Sequence, residues 1–191
     1  MNSGTTTKRL IVGISGASGI VYGIEALRQL RRLGVESHLV VSKSAILTLT
    51  HESELKYPEL CSLADVHYQN TDIGAAISSG SFRSMGMLVA PCSIRSMSEI
   101  ASGVTSSLLS RAADVVLKER RRLVLMVRET PLHAGHLQSM FNLSHMGAVI
   151  MPPVPAFYTH PRTLEDVVSQ SVGRALDLFG LDSGMPRWGE D

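Results

Sequence analysis

The stretch Leu10–Tyr22, which reads LIVGISGASGIVY, decides the fold of this chain. It begins with an apolar run of β type and then passes through three glycines, Gly13, Gly16 and Gly19, before an amphipathic segment at 20–33. A strand that leads into a helix through such a turn is typical of a parallel α/β domain. In that turn the free N–H groups of the helix bind anions, and glycine lets the backbone approach the ligand.

The glycine turn therefore predicts an anion site, with Ser15 and Ser18 as hydroxyl donors to a phosphate. Its spacing is GxxGxxG and not the GxGxxG of dinucleotide-binding domains, so the spacing by itself does not indicate a dinucleotide. The alternative is a tight turn between a strand and a helix that binds no ligand, because glycine also serves turns.

Length and composition indicate one domain. The chain has 191 residues, 44% of them apolar, yet no window holds the roughly 18 consecutive apolar residues of a membrane span. A net charge of +1 and an aromatic content of 5% argue against a nucleic-acid surface. We expect a flexible N-terminus at 1–7, without a secretory signal, and a C-terminal tail at 181–191. Cys61 and Cys92 make no disulfide framework, which favours a cytoplasmic protein with reduced thiols.

Strands and helices alternate along the chain, which predicts an α/β fold with a doubly wound parallel sheet. Pro91 is expected to break the strand that precedes it, and the polar segment 57–70 is predicted to be a loop around one short strand. The predicted strands cover 8–14, 36–42, 66–68, 85–90, 123–127 and 148–151, and the predicted helices cover 19–33, 44–52, 94–101, 105–119, 133–143 and 164–179.

Ligands bind such a sheet beyond the carboxyl ends of its strands. Hydroxyl groups follow three of the predicted strands, at 15–19, 42–43 and 91–96, and Arg128 and Glu129 follow a fourth. An NAD enzyme places an acidic residue after its second strand, for the ribose hydroxyls, and this chain has none there. The strand ends therefore favour a mononucleotide such as FMN.

Eight segments together resemble the UbiX/Pad flavin prenyltransferases, long described as 3-polyprenyl-4-hydroxybenzoate decarboxylases. They are GISGASGIVYG, VVSKSAILTLTHE, ISSGSF, PCSIRS, RAADVVLKERR, LVLMVRETPLH, MPPVPAFYTHP and RWGE, in register over 8–188. The resemblance implies a flavodoxin-like Rossmann domain, a three-layer sandwich that assembles into a dodecamer. It also implies transfer of a dimethylallyl group from dimethylallyl phosphate to N5 and C6 of reduced FMN, without a metal. The product, prenylated FMN, would then serve a UbiD-type decarboxylase.

The same resemblance implies the site residues. Those expected to bind FMN are Gly16, Ala17, Ser18, Ser42, Ser93, Ile94, Arg95, Ser96, Arg111 and Arg128. Those expected to bind the prenyl phosphate are Ser79, Lys118, Arg128, Tyr158 and Arg174. The expected catalytic residues are Glu129 and Glu52, which match the acid/base carboxylates of the family, together with Lys118 and Ser18.

Two parts of the chain depart from the family pattern. The segment 97–107 matches nothing we can assign, and Ile73 stands where some members carry an active-site tryptophan. The sequence therefore does not determine which residues form the wall of the prenyl pocket. It also does not determine whether the substrate is a monophosphate or a diphosphate.

The residue types suit the implied chemistry. An allylic phosphate ionises more easily when its leaving phosphate is neutralised, and oriented cations in a dry pocket do this without a metal. The bond to C6 requires loss of a ring proton, which either Glu129 or the released phosphate could accept.

Several of these residues also have a purely structural interpretation. The basic run Lys118–Arg122 ends a helix, where cations favour the helix dipole and face water. Arg128 and Glu129 could form a surface ion pair, Arg174 could be solvated, and Tyr158 could only pack in its proline-rich loop.

Trp188 could contact another copy of the chain or cover a pocket. His133 and His136 stand three apart on one predicted helix, but no third metal ligand is near them in sequence.

Two other functions remain open from the sequence. A flavin-dependent cysteine decarboxylase shares the fold class but is expected to carry a PxMNxxM-type loop, which the segment Met140–Asn142 does not match. A non-catalytic FMN carrier would explain the flavin turns but not a second phosphate site.

Overall fold

The computed structural model describes residues 7–189. The predicted flexible N-terminus therefore lies outside the described residues except for Thr7, and the predicted tail is described as far as Gly189. Within the described range, no helix is both long enough and apolar enough to cross a bilayer.

Six parallel strands form one sheet in the order β3-β2-β1-β4-β5-β6. This confirms the predicted doubly wound α/β fold. Without the short edge strand β3, the order is that of the flavodoxin-like folds, in which the second strand lies outside the first and the others follow on its far side. The strands are β1 Arg9–Ile14, β2 Glu36–Val41, β3 Val66–Tyr68, β4 Gly86–Cys92, β5 Arg122–Val127 and β6 Val149–Ile150.

Helices cover both faces of the sheet and make the predicted three-layer sandwich. Alternate residues of β1 belong to different apolar clusters: Leu10 and Val12 pack with α1 and α7, and Ile11 packs with α4 and α5. The helices are α1 Ile20–Arg32, α2 Lys43–Glu52, α3 Tyr57–Ser62, α4 Ile94–Ala101, α5 Leu108–Lys118, α6 Ala134–His145 and α7 Leu164–Asp177.

Two predictions about local structure are wrong. The segment predicted as a loop contains α3, which begins with Tyr57 and Pro58 and is closed by a hydrogen bond from Lys56 N–H to the Glu59 carboxylate at 2.6 Å. Its six residues are too few for a helical apolar period to be visible in the sequence. In addition, Pro91 does not end β4, which continues to Cys92 with a register shift between Val89 and Cys92. A shift of this kind is where a sheet accommodates a proline.

Candidate functional site

A cavity of about 480 Å³ opens at the carboxyl end of the sheet. It lies where β1 and β4 are neighbours and their following helices leave on opposite faces, which is the switch point at which α/β sheets bind ligands. Its wall consists of Gly16, Ser42, Lys43, Ser44, Asn70, Ser93, Ile94, Arg95, Ser96, Glu99, Ser106, Ser107, Leu109 and Glu129.

The cavity is surrounded by the N-termini of three helices. Ser42 caps α2 by accepting from Ala45 N–H at 3.2 Å, and Ser93 caps α4 by accepting from Ser96 N–H at 3.3 Å. Ser107 caps α5 in the same way. Serine favours this position because its hydroxyl satisfies an N–H group that the helix cannot.

Two of these three helix starts keep free donors. At α5, the first N–H groups are taken by the backbone oxygen and the side chain of Asn70, at 2.9 and 3.0 Å. At α2 and α4, no acceptor within residues 7–189 contacts the backbone N–H groups of Lys43, Ser44, Ile94 or Arg95. A helix N-terminus with free N–H groups attracts anions. Together with the side chains of Lys43 and Arg95, this wall suits the phosphate of a mononucleotide.

A carboxylate also faces the cavity. Glu129 follows β5 and lies on the cavity wall, where its Oε1 accepts from Thr130 N–H at 3.1 Å. No ion pair joins it to Arg128 within the described residues. Arg128 instead acts on Glu52 and Tyr22 through its charge. Glu129 is therefore placed to exchange a proton with a ligand in the cavity.

The N-terminus of α1 differs from those of α2 and α4. Glu52, at the end of α2, accepts from the N–H groups of Gly19 and Ile20 at 2.8 and 3.0 Å. Burial raises the pKa of Glu52, but hydrogen bonds from Ser18, Ile20 and Gly19 and the charge of Arg128 outweigh it, so the pKa is lowered from 4.5. The carboxylate thus occupies the position at which the glycine turn was expected to bind an anion.

Ser15 also has a different role from the expected one. Its hydroxyl is buried, donates to Pro91 O at 3.0 Å and accepts from Ser93 N–H at 2.7 Å. It therefore joins the carboxyl ends of β1 and β4 and holds Ser93, the cap of α4. The prediction that Ser15 donates to a phosphate is wrong because both functions of the hydroxyl are used inside the protein.

The predicted FMN residues divide into two groups. Gly16, Ser42, Ser93, Ile94, Arg95 and Ser96 line the cavity. Ala17, Ser18, Arg111 and Arg128 are not on its wall: Ser18 is one of the groups that lower the pKa of Glu52, and Arg111 pairs with Asp114 at 2.9 Å.

The predicted prenyl-phosphate residues are not brought together in one chain. Lys118 ends α5 just before β5 begins, while Arg128 follows the last residue of β5. The six residues of β5 separate the two by about 20 Å, at about 3.3 Å per residue. Ser79 lies near Lys118, because a Cβ on the adjacent Gly80 would be 2.8 Å from Lys118 Nζ.

Tyr158 and Arg174 form a third group. Arg174 Nη1 lies 3.6 Å from Asp177 Oδ2, and Arg187 also binds Asp177, at 2.7 Å. The next residue, Trp188, meets the ring of Tyr158 edge to face at 5.3 Å between centroids. Thus Tyr158 does more than pack in its loop, and Trp188, which is 80% exposed, keeps most of its surface for other contacts.

Sequence reasoning missed part of the cavity wall. Glu99, Ser106 and Ser107 come from the segment that matched no pattern, and Glu99 holds Arg95 at 3.0 Å and Ser106 at 3.1 Å. Lys43 and Ser44 directly follow Ser42, so the hydroxyl-rich sequence after β2 was a usable signal. Asn70 carried none, because its role depends on a contact with α5, 39 residues further along the chain.

The cysteines and histidines give no further catalytic centre. Burial raises the pKa of Cys92 to about 12, and burial also raises the pKa of Cys61. The ring centroids of His133 and His136 lie 3.6 Å apart with the rings tilted by 33°, and His133 Nδ1 accepts from Gly135 N–H at 3.0 Å. In the described part of the chain, no three His, Cys, Asp or Glu side chains are grouped to hold a metal ion.

Comparison with known proteins gives consistent matches. The Flavoprotein family model matches residues 2–176. The flavin prenyltransferase UbiX of Escherichia coli K12 is 56% identical over 175 residues, 91% of this chain and 93% of the relative. AnUbiX (PadA1) in complex with FMN and dimethylallyl pyrophosphate has a TM-score of 0.95 at 49% identity, covering 97% of this chain and 100% of that one. A dodecameric FMN-dependent UbiX-like decarboxylase from Escherichia coli O157:H7 has a TM-score of 0.92 at 46% identity, covering 96% and 100%.

Proposed function

Because this chain belongs to the UbiX family of flavin prenyltransferases, we propose that it joins a dimethylallyl group to N5 and C6 of reduced FMN. The prenyl donor is dimethylallyl phosphate, and the products are prenylated FMN and inorganic phosphate. The first bond forms at N5 as the phosphate leaves and takes up the N5 proton. When the second bond forms, the prenyl double bond gains one proton and C6 loses one, so no further proton is released. The observation that carries the proposal is the cavity that combines two open helix N-termini with the carboxylate of Glu129. The whole chain acts as one flavoprotein domain.

The FMN phosphate binds at the starts of α2 and α4. There the free N–H groups point outward from the helices. Ser42 caps α2 and Ser93 caps α4, and these caps stabilise both helix N-termini. Lys43 and Arg95 add positive charge. An added Cβ on Gly16 would lie 2.2 Å from Ser44 Cβ, so Gly16 is required for the close approach of the β1 turn to α2.

The carboxylates of Glu129 and Glu52 have different roles. Glu129 faces the cavity and takes the proton that leaves C6 when the second bond forms. Glu52 stays ionised, since its pKa is lowered, and it fixes the turn that carries Ser18 and the side of the site near Arg128. Glu52 and Ser18 therefore act as positioning groups for the turn between β1 and α1.

The prenyl phosphate is held by Ser79, Lys118, Arg128, Tyr158 and Arg174, supplied by different copies of the chain. Lys118 is exposed in one place and Tyr158 and Arg174 in another, both away from Arg128, and a similar protein is dodecameric. Exposed cations from neighbouring copies can surround one phosphate without any metal. Arg111 lies in the first turn of α5, whose N-terminus lines the cavity through Ser107 and Leu109, and we assign it to the same site.

The shared site can be tested by complementation. Lys118→Ala and Arg174→Ala should each be nearly inactive alone, since removal of one partner of a desolvated charge pair costs about 2–5 kcal/mol. After the two variants are dissociated and reassembled together, activity should return in part, because some sites then contain both wild-type residues. Absence of recovery in verified mixed oligomers would place the two residues in one chain's site or in none.

The product serves a UbiD-type decarboxylase, and the protein works in the cytoplasm, where its two free cysteines remain reduced. Addition of the reaction mixture to a cofactor-free decarboxylase of that type should restore decarboxylation. Cell fractionation tests the compartment.

The reaction itself is tested with purified protein, reduced FMN and dimethylallyl monophosphate under anaerobic conditions. The mass spectrum of the flavin should show the mass of one added dimethylallyl unit less one hydrogen. A parallel reaction with the diphosphate decides the preferred donor, and boiled protein is the control. Unmodified flavin with both donors would favour the FMN carrier. In a separate reaction with oxidised FMN as the electron acceptor, oxidative decarboxylation of a cysteine-terminated peptide would favour the cysteine decarboxylase.

A further inference from the structure

The end of α5 fixes the direction of two cations, Lys118 and Arg121. Arg120 adopts a left-handed conformation with φ 56°, and the N–H groups of Arg120 and Arg121 return to the oxygens of Leu117 and Val116 at 3.0 and 2.9 Å. This is the Schellman arrangement, in which glycine usually takes the left-handed position. This turn fixes the backbone of Arg121, so that its side chain extends toward the segment 79–82.

Arg121 binds a turn that is distant in sequence. Its Nη1 donates to Phe82 O at 2.5 Å and its Nη2 donates to Gly80 O at 2.7 Å. The segment 79–82 is itself a β-turn, closed by a bond from Phe82 N–H to Ser79 O at 3.2 Å. The guanidinium therefore spans the turn with two charge-assisted hydrogen bonds in the planar geometry that only arginine offers.

The same turn carries polar groups next to Lys118. The hydroxyls of Ser79 and Ser81 lie 2.9 Å apart. A Cβ on Gly80 would lie 2.8 Å from Lys118 Nζ and closer still to Glu119 Oε1, so the ion pair of Lys118 and Glu119 lies directly against this turn. Lys118 Nζ also contacts Glu119 Oε1 at 2.5 Å, which limits its freedom further.

This inference rests on the proposed function, in which Ser79 and Lys118 bind the prenyl phosphate. We propose that Arg121 is a positioning residue for that phosphate. By holding the carbonyls of Gly80 and Phe82, it keeps the turn that carries Ser79 against the Lys118 side chain, so that both residues can bind one phosphate. Arg121 does not touch the substrate itself, since two of its nitrogens are used by the turn.

The test compares Arg121→Ala, Arg121→Lys and the matched control Arg122→Ala, which removes the same charge from an exposed neighbour. In Arg121→Ala, the KM for dimethylallyl monophosphate should rise by about 10- to 100-fold, the effect of losing hydrogen bonds to a charged group. The affinity for FMN should not change. Arg121→Lys should restore the KM only in part, because a single ammonium group cannot replace the two parallel N–H donors of the guanidinium. Arg122→Ala should behave as the wild type.

Hydrogen exchange followed by mass spectrometry supplies a second measurement. The peptide that contains 79–82 should exchange faster in Arg121→Ala, and in a Lys118→Ala background the further effect on KM should shrink, since the two residues act together. The positioning role would be overturned if Arg121→Ala had the same KM for dimethylallyl monophosphate as Arg122→Ala. It would also be overturned if Arg121→Lys recovered the wild-type KM in full. Neither result affects the proposed function, which fails only if the wild type leaves FMN unmodified.

Discussion

The start of α1 and the starts of α2 and α4 lie at the same edge of the sheet, but they differ in whether their backbone N–H groups already bind a carboxylate. At α1 the protein supplies its own anion, Glu52, which takes two backbone N–H groups. At α2 and α4, serine caps leave neighbouring N–H groups open toward a cavity. A glycine-rich turn is therefore not sufficient for an anion site. What decides is whether a carboxylate from elsewhere in the chain has already bound the helix N-terminus.

The largest expected difference between the two regions is kinetic. Glu129→Gln should preserve FMN binding and the bond to N5 but slow closure to C6 by about 10²- to 10⁴-fold, the usual contribution of a general base. Glutamine keeps the size and the hydrogen bond to Thr130 N–H but cannot accept the proton.

Single-turnover flavin absorbance resolves these two steps of Glu129→Gln. Unchanged closure in the variant would assign the base to the released phosphate. Unfolding of the variant should match the wild type, since Glu129 is an exposed residue.

A smaller effect, on stability, is expected at α1. Glu52→Ala should lower the free energy of unfolding by about 0.5–2 kcal/mol, the cost of losing a helix cap. Glu54→Ala, an exposed neighbour, is the control. Denaturant unfolding measures both. If Glu52→Ala were as stable as its control but lost FMN affinity, then α1 would belong to the phosphate site after all.

The smallest effect is the pH dependence of the same cap. The pKa of Glu52 is lowered in the folded protein from 4.5, so its contribution is fully present above that pH and is lost as the pH falls through the folded pKa. The difference in unfolding free energy between the wild type and Glu52→Gln should therefore be constant near neutral pH and shrink below pH 4.5. A difference that grows on acidification would contradict the cap.

The strands and the longer helices were predictable because they depend on local periodicity, and so were the serines that follow β2 and β4. The six residues of α3 were too few to show such a period. It was not predictable which helix N-termini already bind a carboxylate of the protein. Glu52 reaches Gly19 across 33 residues, and no local pattern reports such a contact. The same holds for Arg121, whose neighbours Arg120 and Arg122 have identical side chains. Only the left-handed turn at Arg120 directs Arg121, and not the others, onto the segment 79–82.

The central claim is that the FMN phosphate binds at α2 and α4 and not at α1. Titrations of FMN and of riboflavin, which lacks the phosphate, test it directly in the wild type, Ser93→Asp and Ser18→Asp. Aspartate is also a good helix cap, so Ser93→Asp should fold. Its preference for FMN over riboflavin should fall by about 100-fold or more, since facing like charges cost several kcal/mol. Ser18→Asp should keep the wild-type preference; loss of the preference in Ser18→Asp with retention in Ser93→Asp would contradict the claim.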